Sequence, residues 1–277
     1  MKRLATLLAS LICCTIAIYA DDADNNIYLR MIDDAENAIK SRDFAKAETL
    51  MTQAISFQPD NPNNALIMSN LGMVRFYMDN DSLAILTLNQ AHTMAPSSVT
   101  ILLNRARVLS ATGNITAALD DYNRVTQLDS AVVMPYLFRG LLHLGNKDIS
   151  AAKAQFDIIS ALAPHSYEEA LALSNFYFFQ QQYAEAKPYF SRLLETEKTP
   201  ENYASHAICA LFTDDLDTAS EDIAAGLSLD QNYGELYLCR ALLYKRRYRN
   251  EDALRDAQTA KTLGVDADTV DSLMNLK

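Results

Sequence analysis

Apolar residues recur at three- and four-residue intervals through most of this chain. Leu102, Ala106 and Leu109 are one such run, and it places one apolar stripe along a helix. The stripes are short, and polar breaks with helix-start residues separate them. Ser166 with Glu169 three positions on reads as a capping box. Thr199-Pro200 puts a proline at a first helical position. Only 7 glycines and 7 prolines occur in 277 residues, too few for the turns of a many-stranded β fold.

The stripes repeat at a fixed interval. Ala47, Ala84, Ala118, Ala152, Ala186, Ala219 and Ala253 line up at spacings of 37, 34, 34, 34, 33 and 34 residues. Twelve positions before each stands another small residue: Ala35, Gly72, Ala106, Gly140, Ser174, Ala207 and Ala241. Seven positions after stand Ala54, Ala91, Val125, Ile159, Leu193, Gly226 and Ala260. Large apolar residues sit three before it, at Phe44, Ile115, Ile149, Tyr183 and Leu216, and prolines twelve after it, at Pro59, Pro96 and Pro164. Small columns let two helices approach closely, and the proline ends the second one. No such hairpin buries its apolar face alone, so neighbours must stack. The long first spacing reflects extra loop residues around Asn61-Pro62-Asn63-Asn64, and the short one a residue lost near Lys198. Pro188 falls inside a second helix and is expected to kink it or delay its start.

These columns resemble those of the tetratricopeptide-repeat family over residues 28–267. The resemblance implies an all-α fold, a right-handed α-solenoid of about seven stacked helix-turn-helix repeats. The repeats fall near 28–61, 65–98, 99–132, 133–166, 167–199, 200–233 and 234–267. A lead-in at 21–27 precedes them, and a capping segment at 268–277 follows. Arg105, Arg139 and Arg240 precede the small column, while Asp121, Asp222 and Asp256 follow the aligned alanine by three, a pattern similar to that of one subclass of these repeats. The implied role is an Arg–Asp pair between helices, within one repeat or with the repeat before. Arg139 has only Asp121 available, since its own repeat carries Gln155.

The amino terminus changes the setting. Met1-Lys2-Arg3 is a basic start, Leu4 to Tyr19 is almost wholly apolar or small, and Ala20 precedes Asp21-Asp22. That order is a signal peptide with cleavage expected after Ala20; a retained anchor, or lipidation at Cys13 or Cys14, are the alternatives. The expected location is periplasmic, or membrane-anchored if the leader stays. The net charge is −11, and without Lys2 and Arg3 the remainder carries −13. Such a chain is repelled by phosphate backbones, which argues against nucleic acid as a partner. Membrane contact is expected only through an uncleaved or lipidated terminus. Cys209 and Cys239 lie in apolar helical runs and read as buried free thiols, with a bridge as the alternative.

Catalytic chemistry finds no foothold in the sequence. The glycines are scattered, no His-Glu-x-x-His occurs, and there is no cysteine cluster for zinc. His92 and His165 sit near helix ends, where capping or solvation is expected; His143 and His206 lie near core columns. No enzyme, cofactor or metal is expected. The sequons Asn80-Asp81-Ser82 and Asn114-Ile115-Thr116 read as turn and cap residues.

The resemblance implies instead a scaffold that binds protein or peptide along a concave groove lined by the first helices. A self-associating or membrane-anchored component of the cell envelope is the alternative. The groove columns carry Met73 and Phe76, Leu103 and Arg107, Leu137 and Leu141, then Asn175 and Phe178, with Phe179 beside them. Such an apolar stripe marks a binding site unless inward packing covers it. Phe178 is expected to face the groove, and Tyr177 to pack inward. The carboxylate clamp of the family's chaperone-binding members has only Asn175 to match, with no paired Lys. One basic run, Lys245-Arg246-Arg247-Tyr248-Arg249, stands against the acidic whole. It reads as a solvated corner, or as a contact for an acidic partner or lipid head groups.

Overall fold

The computed structural model describes residues 23–275, so the expected leader and the cleavage and lipidation sites expected in it lie outside the described residues. Two compact units divide at Pro135 and Tyr136. The first holds α1 (Ala23–Lys40), α2 (Phe44–Phe57), α3 (Asn64–Tyr77), α4 (Asp81–Met94), α5 (Val99–Ala111) and α6 (Ile115–Leu128). The second holds α7 (Met134–Gly145) from Tyr136 on, then α8 (Ile149–Leu162), α9 (Tyr167–Phe179), α10 (Tyr183–Thr196), α11 (Pro200–Phe212), α12 (Leu216–Leu229), α13 (Gly234–Arg246), α14 (Asn250–Thr262) and α15 (Ala267–Asn275). No strand occurs among the described residues. Each unit is a stack of helical hairpins, an all-α solenoid segment. None of the described helices is long and apolar enough to cross a membrane.

Local chemistry sets the helix boundaries. Asp43, Asn80, Ser98, Asp148, Ser166, Thr199 and Asp215 each accept the backbone N–H three residues on, closing a helix start. The Ser166 box is only half made. Glu169 reaches past the serine and accepts the His165 N–H at 2.7 Å. Pro188 does not delay α10, which starts at Tyr183 in register with its counterparts. Between the paired helices one residue turns left-handed: Arg42, Asp79, Gly113, Lys147, Gln181, Asp214 and Tyr248 all have positive φ. They form a column at the spacing of the aligned alanines, with a single glycine in it.

The small column is where the paired helices touch. A Cβ on Gly72 would stand 2.6 Å from Leu88, and one on Gly140 would stand 2.2 Å from Phe156. Ala35, Ala106, Ala207 and Ala241 are fully buried at the same place. Seams between hairpins are apolar: Tyr28, Ile32, Met51 and Leu71 share one core across α1, α2 and α3. Ala207, Ile223, Leu236 and Leu243 share another across α11, α12 and α13. The longer loop after α2 is held by buried Asn64, which accepts Tyr28 O–H at 2.9 Å and donates to the Gln58 and Pro59 carbonyls. Val270 of α15 closes the last hairpin against Leu238, Ala257 and Ala260.

The arginine–aspartate pairs settle in one register, within a repeat. Arg105 forks onto both Asp121 oxygens at 2.8 and 2.6 Å, and Arg240 onto Asp256 at 2.6 and 2.9 Å. Arg139 donates to the Gln155 amide oxygen of its own repeat at 3.1 Å, which corrects the expectation that it had only Asp121. An amide oxygen accepts a guanidinium N–H as a carboxylate does, so the geometry survives the substitution. Cys209 and Cys239 are free and buried, and burial pushes the Cys209 thiol up to about 12.

Candidate binding surface

The expected groove residues separate into two classes. Residues three or four positions from the small column share its face, the face turned to the second helix. Phe76 and Leu137 are therefore buried rather than groove-lining. Phe76 packs with Ala84, Leu88 and Val108, and Met73 is buried with it in the seam to the next hairpin. Phe178 is only partly buried, but it too packs on the second helix. Its ring meets Tyr183 and Phe190 of α10 edge-on, with centroids 5.6 Å apart in each case. The expectation that it turns away from its partner helix is corrected, because Ser174 and Phe178 are one helical turn apart. Tyr177 also packs on α10, stacked on Tyr189 at 5.9 Å.

The second class presents surface. Leu103, Arg107, Leu141 and Asn175 are half-buried, Leu103 even though it stands three positions before Ala106, as the buried Leu137 does before Gly140. Asn175 spends an amide N–H on the Leu171 carbonyl at 2.7 Å. Phe179 is 43% exposed, the most open of the nine. It stands five positions past the small column, a column shared by Phe212 and Arg246. Phe212 of this column ends an aromatic run in the second unit. Phe190, Phe178 and Tyr183 touch in turn, and Tyr183 stacks on Phe212 at 4.5 Å.

At the end of that run lies a cavity of about 200 Å³, lined by Leu211, Phe212, Leu242, Lys245, Arg246, Tyr248 and Leu273. Helices α11, α13 and α15 supply its walls, with Tyr248 from the α13–α14 turn. Lys245 Nζ donates to the Met274 carbonyl of α15, which ties one wall to the floor. Arg246 pairs with Asp214 at 3.4 Å, and Arg247 with Asp217 at 3.5 Å. Arg249 lies 4.3 Å over the Tyr244 ring and pairs with Asp252. Tyr248 is 91% exposed. The basic run was legible in the sequence; the cavity was missed, because it needs α15 against residues of two repeats.

One polar constellation has the residue types of a nucleophilic triad. Ser191 Oγ lies 2.9 Å from His206 Nε2, and His206 Nδ1 lies 2.7 Å from Asp222 Oδ2. Ser191 stands inside α10 with its hydroxyl 3.1 Å from the Lys187 carbonyl, the bond a mid-helix serine makes to its own turn. The surrounding amides belong to the helix, so none is offered to an oxyanion. His206 occupies the column of Arg105, Arg139 and Arg240, and the set clamps α10, α11 and α12 together. His92, expected to cap or face solvent, has its Nδ1 buried without a partner among the described residues. Burial, then the Arg105 charge, lowers its pKa, with Asp121 opposing. No group of three or more described His, Cys, Asp or Glu residues is placed to hold a metal ion.

No protein-family model matches the chain. Solved structures share its fold. A tetratricopeptide-repeat protein from Parabacteroides merdae is 22% identical at a TM-score of 0.62, over 90% of this chain and 98% of that one. YrrB, described as a TPR protein with an unusual peptide-binding site, is 20% identical at 0.52, over 68% and 98%. PilW, described as a type IV pilus biogenesis factor, is 16% identical at 0.61, over 74% and 97%.

Proposed function

For a chain with the tetratricopeptide-repeat fold, we propose the role of a protein- or peptide-binding adaptor that works outside the cytoplasm and catalyses nothing. The observation that carries this reading is the outward column of the second unit. There Phe179 stands open, and the aromatic run behind it ends in a cavity edged by cations. Large aromatics on a rigid frame are the usual anchors of an interface. The peptide site of YrrB supports it by analogy of fold. The leader-like order of residues 1–20 and the likeness to PilW, a type IV pilus biogenesis factor, support an envelope setting. A net charge of −11 leaves little attraction for nucleic acid.

Site-specific photocrosslinking tests the adaptor. A benzophenone side chain at Phe179 should capture a partner from the native compartment. The same group at Leu254, 67% exposed on a second helix, should not. Equal labelling from both positions, or none from either, would sink the reading. Fractionation and mass spectrometry of the mature terminus test the location: the protein should leave the cytoplasm and begin at Asp21.

A further inference from the structure

We propose that the cavity between α11, α13 and α15 is a subsite for an acidic peptide segment, one that inserts a bulky apolar side chain and sets a carboxylate on Arg246. The proposal deepens the adaptor reading and rests on it. At about 200 Å³ the cavity is on the scale of one large side chain. Drug-sized ligands fill roughly 300–1,000 Å³. Its walls divide by chemistry: Leu211, Phe212, Leu242 and Leu273 are apolar, while Lys245 and Arg246 bring positive charge to the same opening. That pairing asks for a ligand apolar at its tip and anionic beside it.

Charge selects the occupant. The chain carries −11, so an acidic segment is repelled over most of its surface and welcomed where Lys245, Arg246, Arg247 and Arg249 cluster. Arg249 is held by Asp252 and Lys245 by the Met274 carbonyl, but the internal partners of Arg246 and Arg247 are poor competitors. Asp214 and Asp217 sit 3.4 and 3.5 Å from their arginines with side chains 81% and 98% exposed. Exposed pairs of that kind contribute little, so a partner's carboxylate can replace them. Tyr248 stands at the cavity edge and is 91% exposed. An aromatic placed there can close over an inserted side chain.

The test uses the full mature chain and blocked, fluorescein-labelled peptides in which a Phe-Leu pair is flanked by acidic residues, by lysines, or replaced by alanines within the acidic frame. Fluorescence anisotropy should show the acidic Phe-Leu peptide binding at least tenfold more tightly than either of the others, and more weakly as salt is raised. Arg246→Glu should weaken it about tenfold or more with the thermal midpoint held, Leu242→Ala, which also gives up packing on the core, should weaken it at a temperature where the variant is still fully folded, and Arg246→Lys should retain most of the binding. Binding that ignores peptide charge, or survives Arg246→Glu, overturns the proposal. So does preferential, Arg246-dependent sedimentation with phosphatidylglycerol vesicles, which would assign the corner to a membrane. A dimer in analytical ultracentrifugation that Arg246→Glu dissolves, with no peptide bound, would assign it to a second copy. If the peptides fail while Phe179 still crosslinks a partner, the subsite is wrong and the adaptor stands.

Discussion

Two adjacent phenylalanines in α9 have opposite duties. Phe178 lies edge-on to Tyr183 and Phe190, while Phe179 faces out at 43% exposure. Phe178→Ala should therefore cost about 2–4 kcal/mol of folding stability. Phe179→Ala should stay within about 0.5 kcal/mol. Urea unfolding of both variants decides, and equal losses would mean the outward column is not outward. The same helical geometry explains what the sequence left ambiguous. Groove columns were assigned by position in the repeat, but a residue one turn from a small contact residue shares its face. His92 gives a second residue-scale outcome. Its folded pKa is below the unfolded value, so the unfolded state binds more protons and stability rises with pH across that interval. The chain should lose stability between about pH 7.5 and about pH 5.5, and His92→Leu should lose less over that range. A variant with the wild-type slope in denaturant midpoints would remove His92 as a source.

At the scale of the helical hairpin, the decisive contact is a second-helix side chain seated where the first helix has none. Gly140 faces Phe156, and an added Cβ would stand 2.2 Å from the ring. Overpacking of this kind costs about 1–3 kcal/mol. The gain in helix propensity from Gly to Ala returns up to about 1 kcal/mol. Gly140→Ala should lower the melting temperature, and its effect should shrink in a Phe156→Leu background. This level was highly legible beforehand. The aligned alanines and the small column are spacing invariants, and packing permits nothing larger there. Other features left no such trace. The left-handed turn column could not be read because Arg42, Lys147, Gln181 and Tyr248 are not turn formers. His206 hid the clamp of its repeat, because an imidazole does not look like a guanidinium in a sequence column. Asn64 gave no sign that it would pin the long loop, since its partners are backbone carbonyls and Tyr28, 36 positions away.

Along the described residues, each of seven hairpins turns through one left-handed residue, and these residues keep the period of the aligned alanines. Length is therefore a quantised variable, and recombination between any two of these turns keeps the chain in register. Within the second unit, removing residues 148–181 joins Lys147 to Gln182 and makes a hairpin of α7 and α10. Gly140 would then meet Phe190, which stands in its repeat where Phe156 stands in its own. Such a chain should fold, stay helical by circular dichroism and melt cooperatively, because stability in stacked repeats is a sum of neighbour terms. A deletion of 148–177, short by about one helical turn, should instead scramble the pairing and yield an aggregating product. Duplication and loss of whole repeats are then changes this architecture absorbs, whereas a few residues gained or lost inside a hairpin are not.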